Sequence, residues 1–301
     1  MGAYEVFDSK FRSLIDENAP VRKLFGGSLW AEGPVYFRDG RFLLWSDIPN
    51  NRVLRWVDGL GVDEFRNPSN FTNGNTRDLS GRLISCEHGE RRVTRTEPTG
   101  EITVLADRFR GKRLNSPNDV VVKSDGSIWF TDPDYGILSD FEGHKAESEV
   151  GACNVYRVDP HSAEVTAAAT DFDKPNGIAF SPDESLLYIS DTGVSHRDGG
   201  PHHIRVFEVG ADGALSGGGV FAEVVPGVSD GFRMDRDANL WTSAGDGIHC
   251  YDPSGALLGK VLIPETVANL TFGGAEGNLL FIAASSSLYV VKLRARGAQQ
   301  P

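Results

Sequence analysis

The chain has 301 residues and a formal net charge of -12. That balance excludes a general nucleic-acid or anionic-membrane surface, because phosphate binding needs a basic stripe and none runs along the sequence. No basic region followed by an apolar run opens the chain, and no window approaches the roughly 20 apolar residues of a spanning helix, so a cytoplasmic protein is expected. Three cysteines, Cys86, Cys153 and Cys250, lack the paired spacing of a disulfide framework or zinc knuckle and read as small apolar strand residues. The 35 glycines and 15 prolines point to many turns between short strands.

In chain order, residues 9–16 read as a short surface helix, and residues 21–25 as a strand. A unit then opens at Glu32-Gly33-Pro34, turns at Asp39-Gly40 and continues in the apolar run 42–45. The second opens at Asn73-Gly74, turns at Ser80-Gly81 and continues at 83–86. The third opens at Asn118-Asp119, turns at Asp125-Gly126 and continues at 128–130. The fourth, fifth and sixth open at Asn176-Gly177, Asp230-Gly231 and Asn269-Leu270, each with its own turn and apolar run. Gly and Asp tolerate the positive φ of tight hairpins, so each unit reads as a strand-turn-strand meander.

Units of this kind, repeated at a period of about 40 to 58 residues, match propeller blades rather than an α-solenoid. The expected fold is all-β: one six-bladed β-propeller domain over 1–301, with four-stranded antiparallel blades over 30–293. The short N-terminal helix and a ring-closing strand precede the blades within 1–29, and a polar tail follows at 294–301. The sixth unit shows three clear strands, so the strand at 21–25 is expected to complete it and leave no open sheet edge.

The innermost strands of a propeller run along the central channel, so equivalent openings converge. Glu32, Asn73, Asn118, Asn176, Asp230 and Asn269 therefore form a ring of two carboxylates and four amides. An all-oxygen ring without sulfur or imidazole suits a hard cation, Ca2+ first, with Mg2+, Mn2+ or Zn2+ as other occupants. Two carboxylates on a shared axis would otherwise repel each other. Glu32, Asn176 and Asp230 are the foremost ligands and Asn118 the next, while Asn73 and Asn269 line the channel as substrate contacts.

The motifs Glu32-Gly33-Pro34, Ser116-Pro117-Asn118-Asp119, Lys174-Pro175-Asn176-Gly177 and Ser229-Asp230-Gly231 resemble the signatures of the SMP-30/gluconolactonase/luciferin-regenerating family over residues 30–293. Cys86-Glu87-His88-Gly89 and Phe130-Thr131-Asp132-Pro133 resemble its bacterial gluconolactonase branch. The resemblance implies a divalent metal held by Glu32, Asn176 and Asp230, with Asn118 as a further ligand or substrate contact. Animal members carry an arginine where this chain has Ser116, which puts sugar recognition by that arginine in question.

The expected activity is metal-dependent hydrolysis of a cyclic ester, a sugar lactone such as gluconolactone, with Asp230 as general base. His88, in the place of Asp47 in the first repeat, and Asp132 are either hydrogen-bonded strand-end residues or substrate contacts. Residues 133–151 form a lid or a surface excursion. His196, His202 and His203 read as a solvated turn rather than a second metal site. The expected partner is a small lactone, and the oligomeric state stays open. Two rivals remain: a calcium-dependent organophosphate hydrolase on the same ring, and a non-catalytic binding propeller, although none of the five Trp residues precedes an Asp as in WD-type scaffolds.

Overall fold

A computed structural model describes residues 3–298 and forms a six-bladed propeller of antiparallel sheets. The first blade consists of Ala31–Phe37, Phe42–Asp47, Arg52–Val57 and Gly61–Arg66, ordered from the axis outward. The second begins on the axis with Thr72–Arg77, the third with Val120–Val122, the fourth with Pro175–Phe180 and the fifth with Phe232–Met234. The sixth contains Val267–Gly273, Leu279–Ala284 and Ser287–Lys292, and its outer strand is Arg22–Gly26, paired antiparallel to Ser287–Lys292. The strand expected at 21–25 thus closes the ring one residue later at each end.

The core lies between blades, because each sheet buries both faces against its neighbours. Trp241 of blade five packs in one cluster with Leu280 and Ile282 of blade six, and Trp129 of blade three with Ile178 and Leu187 of blade four. Both tryptophans are fully buried, and truncating either to Ala removes ~3–5 kcal/mol.

The N-terminal segment departs from the expected surface helix. The helix is one turn, Phe11–Leu14, ended by extended Ile15, which bridges Leu293. Phe11 is fully buried, its ring 5.8 Å from that of Trp241, so the turn is part of the core. Tyr4–Val6, for which no strand was expected, adds a fifth strand to blade five. At the other end, Ala295 is buried and Asp235 bridges Gly297, so residues 294–298 pack along the propeller rather than trail as a polar tail; 299–301 lie outside the described residues. Among the described residues no helix is long and apolar enough to cross a membrane.

Candidate active site

The turn from each incoming segment into an innermost strand places one oxygen-bearing side chain on the axis. Neighbouring blades approach there at backbone distance. A Cβ on Gly74 would stand 2.3 Å from the Asn118 carbonyl oxygen, and one on Gly177 2.2 Å from that of Asp230. In place of side chains, the Gly74 and Gly177 amides donate to those same carbonyls at 2.8 and 2.9 Å. Hydroxyls from second strands fasten the ring further. Ser46 donates to the Asn73 carbonyl at 2.6 Å, Thr131 to that of Asn176 at 2.7 Å and Ser190 to that of Asp230 at 3.1 Å, each reaching into the next blade.

A cavity of about 430 Å³ opens over this ring. Glu32, Asn73, Asn118, Asn176 and Asp230, from five blades, line it. Asn269 does not: its Nδ2 donates to Glu32 Oε2 at 3.0 Å and its Oδ1 accepts from the Leu270 amide. The expected substrate contact is a support that orients a carboxylate. Glu32 Oε2 also accepts from the Gly33 amide, while Glu32 Oε1 and Asn73 Oδ1 are buried without a partner.

Burial and then the charge of Asp230 push the Glu32 carboxyl well above the usual range, against hydrogen bonds from Gly33 and Asn269. Burial, followed by the charges of Glu142 and Asp119, raises Asp230 to about 8, and the Asn176 side chain opposes the rise. Left to protein groups alone, the site strongly disfavours two ionised carboxylates. The residues fit a hard dication: two carboxylates, amide oxygens and two orphaned acceptors. No trio of His, Cys, Asp and Glu gathers at metal distance among the described residues, so the donor set would depend on amides.

His88 does not reach the cavity. Strand pairing sets Asp47 opposite Ala31 and Glu87 opposite Thr72, so Glu87, not His88, occupies the place of Asp47. His88 is fully buried behind Asn73, and burial lowers it to about 4, which keeps the imidazole neutral at pH 7. Its Nδ1 lies 3.0 Å from the Glu142 carbonyl, an acceptor, and must therefore be the protonated nitrogen. Nε2 then accepts from Asn73 Nδ2 at 3.3 Å, and Asn73 Oδ1 is the atom left facing the ring.

Asp132 also stays out of the cavity. Its Oδ2 accepts from the Asn115 amide at 2.8 Å, tying down the segment that leads to Asn118. Burial raises its carboxyl to about 7, against the amides of Asn115 and Ser116. Asp47 and Asp191 clamp their own incoming segments in the same way, through the amides of Leu29 and of Asp173 and Lys174. Ser116 is fully buried, donating to the Pro133 carbonyl and accepting from the Gly136 amide, so it supplies no substitute for the missing arginine.

The excursion after Pro133 folds over the axis. It forms one helical turn, Tyr135–Leu138, and Tyr135, Leu138, Phe141 and Glu142 line the cavity. Glu142 was not expected from the sequence, which gives no repeat signal in an irregular segment; its carboxyl is raised by burial. Tyr135 OH lies 2.6 Å from Thr192 Oγ1 and 3.2 Å from Ser195 Oγ. The exposed turn with His196 contributes that side chain to the cavity rim. Trp30 and Ile48 form an apolar wall opposite.

Known proteins resemble the chain in sequence and in fold. A gluconolactonase of Zymomonas mobilis is 29% identical over 321 residues, covering 99% of this chain and 88% of its own length. A solved gluconolactonase of Xanthomonas campestris is 38% identical with a TM-score of 0.90, covering 96% of this chain and 94% of that one. A pentonolactonase of Haloferax volcanii is 27% identical over 267 residues, covering 84% of this chain and 81% of its own length. Residues 30–286 match the SMP-30/Gluconolactonase/LRE-like region, and the chain belongs to that family.

Proposed function

We propose that the chain is a lactonase that opens a sugar lactone to its hydroxy acid with the help of a divalent cation. The observation that carries the reading is the convergence of Glu32, Asn73, Asn118, Asn176 and Asp230 on one cavity, with two of their oxygens buried and unpartnered. The gluconolactonase and pentonolactonase names of the relatives support the substrate class. Glu32, Asn118, Asn176 and Asp230 would hold the cation, Ca2+ by the all-oxygen character of the set. When bound, such an ion supplies Lewis-acid polarisation of the ester carbonyl and favours the charged form of both carboxylates.

Asp230 takes a proton from the attacking water as the new C–O bond forms, and the proton passes to the ring oxygen when the acyl C–O bond breaks. Asn73, held by neutral His88, presents its carbonyl oxygen to a substrate hydroxyl. Trp30 and Ile48 receive the C–H face of the ring, and the 135–142 segment keeps bulk water out. In an assay of gluconolactone, a pentonolactone and an organophosphate triester, lactone turnover is expected to dominate. Turnover of the triester alone, or of none of the three in the presence of Ca2+, would overturn the reading.

A further inference from the structure

The strands that begin at the axial oxygens end at the opposite mouth of the channel. Asn73 stands near the start of Thr72–Arg77 and Arg77 ends it, while Asp230 precedes Phe232–Met234, which carries Arg233. At about 3.3 Å per residue, the four steps from Asn73 to Arg77 span roughly 13 Å. A second cavity, of about 500 Å³, opens there. Val121, Phe180, Met234 and Ala298 are among its walls, with both arginines.

These guanidinium groups are only partly matched. Arg233 is 4% exposed; its Nη1 donates to the Phe232 carbonyl at 2.7 Å and lies 3.5 Å from Asp119 Oδ2, while its Nε is buried with nothing to accept from it. Arg77 Nε is buried and unpartnered as well, the guanidinium lies 5.8 Å from the Phe37 ring centre, and no carboxylate stands within ion-pair distance among the described residues. The acids at the rim are already engaged. Asp183 accepts from Ser181 Oγ at 2.6 Å; Glu184 accepts from the Ser124 amide at 2.7 Å and pairs with Lys123 at 3.2 Å.

We propose that this cavity is a second binding site, for a small organic monocarboxylate with an apolar body. Asp119 faces the charge of Arg233, and Asp39 acts on Arg77 without pairing with it, so the Arg77 guanidinium is the group left for the ligand to meet. The Nη groups of Arg77, which lines the cavity and makes no ion pair among the described residues, offer directed donors that suit a carboxylate's paired oxygens. Aliphatic and aromatic walls favour an apolar body and disfavour a strongly hydrated phosphate dianion. The proposal does not rest on the lactonase reading.

The test titrates the intact protein by calorimetry with hexanoate, with hexanamide and with inorganic phosphate. Saturable hexanoate binding is expected, with hexanamide and phosphate each at least tenfold weaker. Arg77→Gln should weaken hexanoate at least tenfold. Arg77→Lys, which keeps the charge but loses the fork, should weaken it severalfold; it decides the matter if Arg77→Gln does not fold. Lactone turnover of both variants should stay within twofold of the parent, and hexanoate should not compete with the lactone. Absence of binding, equal binding of the amide, tighter binding of phosphate, unchanged affinity in the folded arginine variants, or competition with the lactone would each overturn the proposal.

Discussion

At one end of the axial strands Glu32, Asn118, Asn176 and Asp230 turn oxygens inward; at the other, Arg77 and Arg233 turn guanidinium groups inward. Both ends bury charge that the surrounding protein leaves incompletely matched, with opposite signs. Burial and mutual repulsion push Glu32 up at the first, and burial pushes Arg77 down at the second, against the charge of Asp39. They differ in rigidity. The oxygen end is held by interblade amides and by the hydroxyls of Ser46, Thr131 and Ser190, whereas the arginine end has side chains resting on Phe37 and on a single carboxylate, Asp119. A propeller's repeat therefore fixes where its strands begin more tightly than what they carry at the far end. Chemistry that needs several groups in register belongs at the fixed end.

The contrast can be broken most forcefully at Asp230. Asp230→Asn keeps the shape of the oxygen mouth and removes its proton acceptor, so turnover is expected to fall by about 10³-fold with an unchanged circular dichroism spectrum. Hexanoate binding at the arginine mouth should survive. Retention of near-parent turnover would remove Asp230 from its assigned role.

Gly177→Ala attacks rigidity instead. The added Cβ would sit 2.2 Å from the Asp230 carbonyl oxygen, so the fourth and fifth blades must part. A loss of about 3 kcal/mol in urea unfolding is expected, together with weaker cation binding. Chelation should act on one mouth only. Removing a cation present at a hundred times its dissociation constant costs about 2.7 kcal/mol and lowers the melting temperature by about 4 °C; hexanoate binding should not change.

Glu265, which lines neither cavity, provides a control at the ring closure. It accepts from Tyr289 OH at 2.5 Å, Ser287 Oγ at 2.6 Å and the Ser286 amide at 3.0 Å, and it pairs with Lys23 at 3.5 Å across the ring closure. Burial alone would raise its carboxyl, but these hydrogen bonds outweigh burial and bring it to about 2. A carboxyl lowered on folding stabilises the native state fully above its ordinary range, and this contribution fades as pH falls from about 4.3 toward 2. Glu265→Gln should cost about 2 kcal/mol at pH 7, and its unfolding curve should converge on that of the parent as pH approaches 2.

The openings at Glu32, Asn73, Asn118, Asn176, Asp230 and Asn269 were legible because an axial position must repeat its geometry in every blade, and the turns that follow repeat with it. Ring closure was legible from a missing strand and a spare one. His88 was misplaced by one residue because only ladder pairing separates the last position of a strand from the next. Asn269 was expected to contact substrate and Asp132 was left between that role and a hydrogen-bonded strand end; the oxygens of both hold backbone amides, which no spacing reveals. Glu142 and the one-turn helix were hidden for another reason: their positions follow from what the chain packs against, in segments without a period. The arginine mouth was not legible, because only the openings repeat, and Arg77 and Arg233 recur in no other unit.

The sixth blade joins Arg22–Gly26 to Ser287–Lys292, and Glu32 leans on Asn269. During synthesis, then, Arg22–Gly26 waits unpaired until Ser287–Lys292 has left the ribosome, and Glu32 lacks the support of Asn269 until the sixth blade begins to emerge. Chains cut short before the final hairpin carry five complete sets of sheet signals and no finished reaction centre, so truncated products are silent instead of partly active.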